Sequence, residues 1–353
     1  MLEQIRSRLA EISCDAFIST YRTHRRYLTK FTGSAGLVWI GHDSKTLVVD
    51  FRYAEQAEEQ SPDWEIILQK TTAEDTLAEL IGRHKARRIA FESEYVTVDQ
   101  LAKWQEKFEG VEFVPTKNWV AELRKVKTAD EIEKIAAAAQ ITVQALNALI
   151  PSIKPGIAEI ELALEFEYTM RKLGAEAAAF DPIVGSGPRG ALPHAIPWER
   201  RVQVGDFIVI DMGCVYQGYC SDLTRTLVVG KPDAKQLEIY NTVLKAQLAA
   251  LEALRPGLTG KEVDTIAREI IKEAGYDRNF GHSLGHGVGL EIHEEPRLSQ
   301  YNEEPLAPGV VVTVEPGIYL PGWGGVRIED LVVVTDEGCD ILTNMTKELI
   351  VIE

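Results

Sequence analysis

The stretch "VGDFIVIDMGCVYQGYCSDLTRT" (204–226) sets the problem on which the fold turns. An apolar run at 207–210 reads as a buried strand, yet Asp211 follows it directly. A second acid, Asp222, comes eleven positions later, after small, aromatic and Gly residues of the kind that turn a chain back on itself. Taken alone, Asp211 would be a hairpin-end acid facing water, as most aspartates are. At the end of a buried strand a carboxylate is costly unless it neutralises or meets a cation.

The rest of the chain repeats the arrangement. "VGDFIVIDMG" (204–213) parallels "PGVVVTVEPG" (308–317), so that Gly205, Asp211 and Gly213 match Gly309, Glu315 and Gly317. Upstream, "KPGIAEIELALEFEYTMRKLGAE" from Lys154 resembles "RPGLTGKEVDTIAREIIKEAGYD" from Arg255. Each copy then carries a second acid on its returning strand, Asp222 in "GYCSDLTRTLVVG" and Glu329 in "GGVRIEDLVVVTDEG". The duplication predicts two half-domains related by a rough two-fold, each delivering a pair of carboxylates to a shared interface. Four inward carboxylates raise one another's pKa steeply, and two divalent ions balance them. One imidazole is expected among the oxygens. "GHSLGHGVGLEIHEEP" (281–296) supplies His282, His286 and His293, and "GSGPRGALPHA" supplies His194. Such a donor set suits Mn²⁺ or Co²⁺ better than a thiolate zinc site.

Taken singly, the other candidates have plainer readings. His282 could cap or fill a core, His194 could sit on a Gly/Pro-rich surface loop, and Arg327 could pair with Glu329 or Asp330 on a sheet face. Cys214 and Cys220 read as small packing residues. "GSGPRG" lacks the Lys-Ser/Thr ending of a phosphate loop, and "EQAEEQ" reads as a solvated helix face.

Composition bounds the setting. The chain has 353 residues, 45% hydrophobic and 26% charged, enough for two soluble globular domains. "MLEQIRSRLAEI" reads as a charged amphipathic helix and not a signal peptide. No run reaches the ~18–20 apolar residues of a membrane span, so no membrane partner is expected. Four cysteines without CxxC spacing point to reduced thiols and a cytoplasmic setting. A net charge of −16 argues against nucleic acid, whose phosphates call for a basic face. In the first third, "DAFIST", "GLVWIG", "TLVVDF" and "RIAFES" read as strands, with "TLAELIGRHKA" and "TVDQLAKWQEKF" as helices, an α/β layer. The character changes near 120, where Thr128 and Glu131 form a capping box ahead of a long Ala-rich helix. The expected domains are 1–120 and 121–353.

"GDFIVIDMG…GYCSDLTRT", "HSLGHGVGLEIHEEP", "VVTVEPGIY" and "GGVRIED" together resemble the signature of the Xaa-Pro peptidases, prolidase and aminopeptidase P. These share the pita-bread fold with methionine aminopeptidase and creatinase. "RRYLTKFTGSAG" and "DFRYAEQA" are similar to that family's smaller creatinase-like N-terminal domain. The resemblance implies an α/β (α+β) chain with a C-terminal pita-bread domain holding two divalent metal ions, Mn²⁺ first, with Co²⁺ or Zn²⁺ as alternatives. By resemblance the ligands are Asp211, Asp222, His286, Glu315 and Glu329, with Asp222 and Glu329 bridging. Glu315 would also act as general base, His194, His282 and His293 would contact substrate and transition state, and Arg327 would support the ligands. The implied reaction is hydrolysis of the Xaa-Pro bond, of dipeptides in the prolidase reading or of longer peptides in the aminopeptidase P reading, by a homodimer. A non-catalytic pita-bread binding module is the alternative of another class; the five intact ligand positions speak against it, and against creatinase. One departure stands out. The family's N-terminal loop reads Asn-x-Arg-Tyr-Leu-Thr-Gly-Phe-Thr-Gly-Ser, where this chain has His24 for the Asn and Lys30 for the first Gly. In relatives that loop can approach a partner subunit's active site, so the departure bears on substrate length.

Overall fold

The computed structural model describes residues 1–353, which divide into two compact units, Met1–Arg124 and Lys125–Glu353. The first unit is built on one sheet of six strands: β1 (Ala16–Ser19), β2 (Leu37–Gly41), β3 (Lys45–Val49), β4 (Glu65–Leu68), β5 (Arg88–Glu92) and β6 (Glu112–Thr116). Their spatial order is β4-β3-β2-β1-β5-β6. β1, β5 and β6 run parallel, as do β3 and β4, while β2 is antiparallel to both neighbours. Helices α1 (Leu2–Glu11), α2 (Arg22–Thr29), α3 (Ala54–Gln60), α4 (Ala73–His84), α5 (Val98–Lys107) and α6 (Trp119–Lys125) connect the strands. Because side chains alternate along a strand, Phe17, Val38 and Ile40 feed one core while Ile18, Leu37 and Trp39 feed another. Both faces of the sheet are covered, as its parallel pairs require.

The strand readings at "DAFIST", "GLVWIG", "TLVVDF" and "RIAFES" correspond to β1, β2, β3 and β5. β4 and β6 escaped because they are edge strands. β4 is half-exposed throughout, and β6 contains Pro115, which is confined to sheet edges. Beyond the composition change near 120 the chain stays with the first unit for a few residues. Val120 and Leu123 pack against that core, and the Tyr27 hydroxyl donates to the Leu123 carbonyl at 2.8 Å.

Of the two departures in the N-terminal loop, His24 has a local explanation and Lys30 does not. His24 is buried on α2, where its Nδ1 is hydrogen-bonded to Glu92, which also accepts from the Ser19 hydroxyl. Lys30 closes α2 in the left-handed conformation, at φ 67°, a position that favours glycine because a Cβ is penalised there.

The second unit has two halves, each a helix pair on a sheet with its own core. In the first, α7 (Ala129–Leu149) and α8 (Glu159–Lys172) cover strands in the order Ile350–Ile352, Leu223–Val229, Phe207–Met212, Ile183–Ser186. In the second, α9 (Ala234–Ala253) and α10 (Gly260–Glu273) cover Glu294–Leu298, Gly285–Gly287, Val311–Val314, Asp330–Val334 and Cys339–Ile341. Thr128 caps α7 reciprocally with Glu131. By length and composition the stretch Ala129–Ser152 could cross a membrane, where the sequence reading found no such run, but half of that window is buried inside the fold. Its Ile135, Ala138, Leu146 and Leu149 are core residues.

The duplicated helices are α8 and α10, and the duplicated strands form the centre of each sheet. The two returning acids, however, are not register equivalents. Asp211 faces Thr224, and Asp222 lies beyond the last rung, Met212 with Leu223. In the second half, Val314 faces Asp330, with Glu315 and Glu329 flanking that pair. Two glycines allow the close approach the site needs. A Cβ on Gly213 would stand 2.0 Å from the Ser221 carbonyl oxygen, and one on Gly285 would stand 1.9 Å from that of Thr313.

Lys30→Gly should stabilise the first unit by about 0.5–1 kcal/mol, the left-handed penalty of 1–2 kcal/mol less the entropy that glycine adds to the unfolded chain. Urea denaturation followed by the first unit's tryptophans measures it. An unchanged or lowered midpoint would contradict the strain assigned to Lys30.

Candidate metal centre

Asp211 is the penultimate residue of the strand Phe207–Met212, Asp222 precedes Leu223–Val229, and Glu329 precedes Asp330–Val334. One ligand atom from each of these three buried acids lies within 4.8 Å of the other two. His286, on Gly285–Gly287, extends the cluster: its Nε2 is 3.3 Å from Glu315 Oε1 and 3.5 Å from Asp222 Oδ2. The structure therefore brings together all five residues singled out as ligands, and one cavity of about 740 Å³ is lined by them and by His194, His282, His293 and Arg327.

The cluster is short of positive charge. Among the four carboxylates only Asp211 is in contact with a guanidinium, that of Arg327, which donates from Nη2 to Asp211 Oδ2 at 2.6 Å. Burial and neighbouring acids push the carboxyls of Asp222 and Glu329 well above their ordinary range. Burial likewise raises Glu315, to about 7. Two buried oxygens, Asp211 Oδ1 and Asp222 Oδ1, have no hydrogen-bond partner at all, a condition that native interiors rarely tolerate.

The histidine tells the same story. His286 Nδ1 lies 3.1 Å from the Gly287 carbonyl oxygen, which can only accept, so Nδ1 carries the proton. Burial lowers this imidazole's pKa to about 3, so it is neutral and its Nε2 lone pair points at two carboxylates. A lone pair and orphaned carboxylate oxygens facing one space describe the donor set of a cation. Oxygen donors with a single imidazole suit a divalent ion of the Mn²⁺ or Co²⁺ type. The residues fit the metal implied by the sequence.

Around the acids runs a hydrogen-bonded frame. Thr224 Oγ1 donates to Glu329 Oε2 at 2.6 Å and accepts from Arg327 Nε at 3.0 Å. Thr313 Oγ1 donates to Glu315 Oε1 at 3.0 Å. Arg327 Nη1 donates to the Tyr319 hydroxyl at 2.9 Å. Arg327 thus pairs with Asp211, and not with Glu329 or Asp330. Asp330 is held by Arg225 at 2.8 Å and by Gln247 at 2.7 Å, and Arg225 also binds the Glu329 carbonyl.

The remaining histidines differ from one another. His282 directs Nδ1–H to the Ser283 carbonyl at 2.8 Å, and its Nε2 accepts from the Tyr319 hydroxyl at 3.0 Å. Both nitrogens are engaged, and burial lowers its pKa to about 4. His293 and His194 are exposed at the cavity wall, and the His293 ring meets that of His286 edge-on at 4.4 Å. Cys214 and Cys220 are buried in apolar cores. The sequence reading passed over Thr224, Thr313, Tyr319 and Arg297. The two threonines were within reach of it, since each lies two residues from an acid and so shares its strand face.

Known proteins bear out the resemblance. The model of metallopeptidase family M24 matches residues 133–336, and that of the creatinase/prolidase N-terminal domain matches 1–126. The chain is 46% identical over 315 residues to the Xaa-Pro dipeptidase of Pyrococcus furiosus, covering 89% of each chain. An uncharacterised peptidase of Bacillus subtilis is 42% identical over 351 residues, 99% of each. Among solved structures, an Xaa-Pro dipeptidase from Bacillus anthracis superposes with a TM-score of 0.97 at 44% identity, covering 99% of this chain and 98% of that one. An X-Pro aminopeptidase from Thermotoga maritima gives 0.92 at 41% identity, covering 99% and 100%.

Asp222→Asn should act with opposite sign in two conditions. With chelator present it removes a charge that the apo site cannot compensate, so Tm should rise. With Mn²⁺ in excess the wild type gains linkage stability, about 2.7 kcal/mol at a hundred times Kd, and the variant should fall below it. Differential scanning calorimetry in both buffers checks the crossing; a variant less stable in both would contradict the charge deficit.

Proposed function

The chain belongs to metallopeptidase family M24, and from that membership and the site's geometry we propose that it hydrolyses Xaa-Pro dipeptides with two divalent metal ions. We assign Asp211, Asp222, His286, Glu315 and Glu329 to hold the ions, Mn²⁺ in the first place, with Co²⁺ or Zn²⁺ as alternatives. When bound, such ions polarise a carbonyl and lower the pKa of water, the two requirements of amide hydrolysis at neutral pH. The chain's own groups do the rest. Glu315, fixed by Thr313, is assigned to accept the proton of the attacking water and return it to the leaving nitrogen. His293, on the cavity wall with no protein hydrogen bond, is assigned to donate to the oxygen of the scissile carbonyl.

The observation that favours dipeptides is Arg297. Its side chain lines the same cavity, and no carboxylate of the protein pairs with it. A proline nitrogen in peptide linkage has no N–H to be recognised, so specificity falls on the ring and on the groups beside it. Phe180, Ile183, Pro193 and Ile292 offer the ring an apolar wall. An unpaired guanidinium offers a free C-terminal carboxylate a charge-assisted contact, which a longer peptide would not supply at that place. The homodimer and the cytoplasmic setting expected from the sequence belong to the same proposal, and sedimentation velocity tests the first.

With Mn²⁺ supplied, Ala-Pro should be turned over at least tenfold faster than Ala-Ala and than Ala-Pro-Ala. Arg297→Ala should raise KM for Ala-Pro tenfold or more while changing kcat less. A variant with unchanged KM would remove the carboxylate assignment and open the aminopeptidase reading.

His293→Ala should retain its metal content but lose about 10²–10³-fold in kcat, the usual effect of removing one donor to a developing oxyanion. Metal analysis beside steady-state rates checks it; loss of metal would place His293 among the ligands.

A further inference from the structure

We propose that the first unit carries a second binding site, for a free α-amino acid with an apolar side chain, in the cavity at the carboxyl ends of β1 and β5. The cavity, of about 320 Å³, lies wholly within that unit, so it is no extension of the catalytic one. Its place in the topology is the place where open α/β sheets take ligands. The chain lays β2, β3 and β4 to one side of β1, and β5 and β6 to the other. The crevice beyond the parallel strands β1 and β5 is therefore the point at which the winding reverses. Thr20 directly after β1, and Tyr95 and Thr97 after β5, line it.

Its lining has one charge and three kinds of surface. Glu74, half-buried on α4, is the single ionisable acid in the wall, and no lysine or arginine joins it. The Gln100 amide donates to Glu74 Oε1 at 3.0 Å. That bond, with one from its own backbone N–H, holds the carboxyl below the usual range, so it is an anion ready for an ammonium group. Leu37, Val48 and Leu77 form the apolar side. Between these stands Trp104, 3% exposed. Its rings are packed against Phe91 and Phe113, and the residue lines the cavity. With Thr20 and with Gln69, whose amide also donates to the Thr71 carbonyl at 3.1 Å, it gives the wall neutral polar groups for a carboxylate. An anion for the ammonium, neutral polar groups for the carboxylate and an apolar wall for the side chain match an amino acid zwitterion. The small volume limits the ligand to one residue or little more.

The site owes nothing to the peptidase reading and can fail without it. Isothermal titration of the full chain with L-leucine, and with N-acetyl-L-leucine as the analogue lacking an ammonium, tests it. Leucine should bind saturably and the acetylated analogue at least tenfold more weakly. Glu74→Gln should lose at least tenfold in leucine affinity, and Ala73→Leu, which narrows the cavity from α4, should lose as much. Both variants should hydrolyse Ala-Pro at the wild-type rate, which also shows them folded. Arg297→Ala, altered in the catalytic cavity, should still bind leucine. Absence of saturable binding, or binding lost in Arg297→Ala and kept in Glu74→Gln, would overturn the proposal.

Discussion

Four carboxylates in one buried space, with a single guanidinium, that of Arg327, in contact with them, are the constraint around which the second unit is organised. Burying an unpaired carboxylate costs several kcal/mol, and here two carboxylate oxygens face the interior without any partner. The surrounding groups do not neutralise the cluster; they fix it. Arg327 reaches Asp211, Thr224 and Tyr319 at once, and Arg225 holds the backbone of Glu329. Such a frame keeps the acids apart and aimed, so that a metal would meet donors already in place.

The duplication explains how one chain assembles such a cluster. Each half contributes a sheet with an acid near the end of its central strand, and the acids meet at the seam between halves. Symmetry goes only so far, however. Thr224 stands opposite Asp211, a place that the second half's flanking pair gives to an acid, and the hydroxyl at Thr224 is bonded to Glu329. The histidine comes from one half alone. Functional asymmetry has been laid over a symmetric scaffold, and the catalytic assignment rests on the site and not on the fold.

Much of this was legible in the sequence, for physical reasons. Asp211 and Glu315 announced themselves because an acid ending an apolar strand is costly, and the repeated Gly spacing tied them together. His286 could not be separated from His282 and His293 by spacing; the family resemblance chose it, and the Nδ1 bond to Gly287 gives the choice a structural basis. Arg327 was open between two acidic neighbours in sequence, and its partner proved to be Asp211, 116 positions away. No local pattern encodes that pairing. His24 looked like a change in a functional loop, whereas burial against Glu92 makes it part of the first unit's interior. Arg297 gave no signal, because a lone arginine in a polar stretch looks like any surface cation.

The central claim is that the buried acids and His286 exist to hold two divalent ions. It is tested most directly by counting them. Protein loaded with Mn²⁺ and freed of loose metal by gel filtration should carry two ions per chain by inductively coupled plasma mass spectrometry. A chain that carries none after the same treatment, while remaining folded and hydrolysing Ala-Pro, would contradict the account.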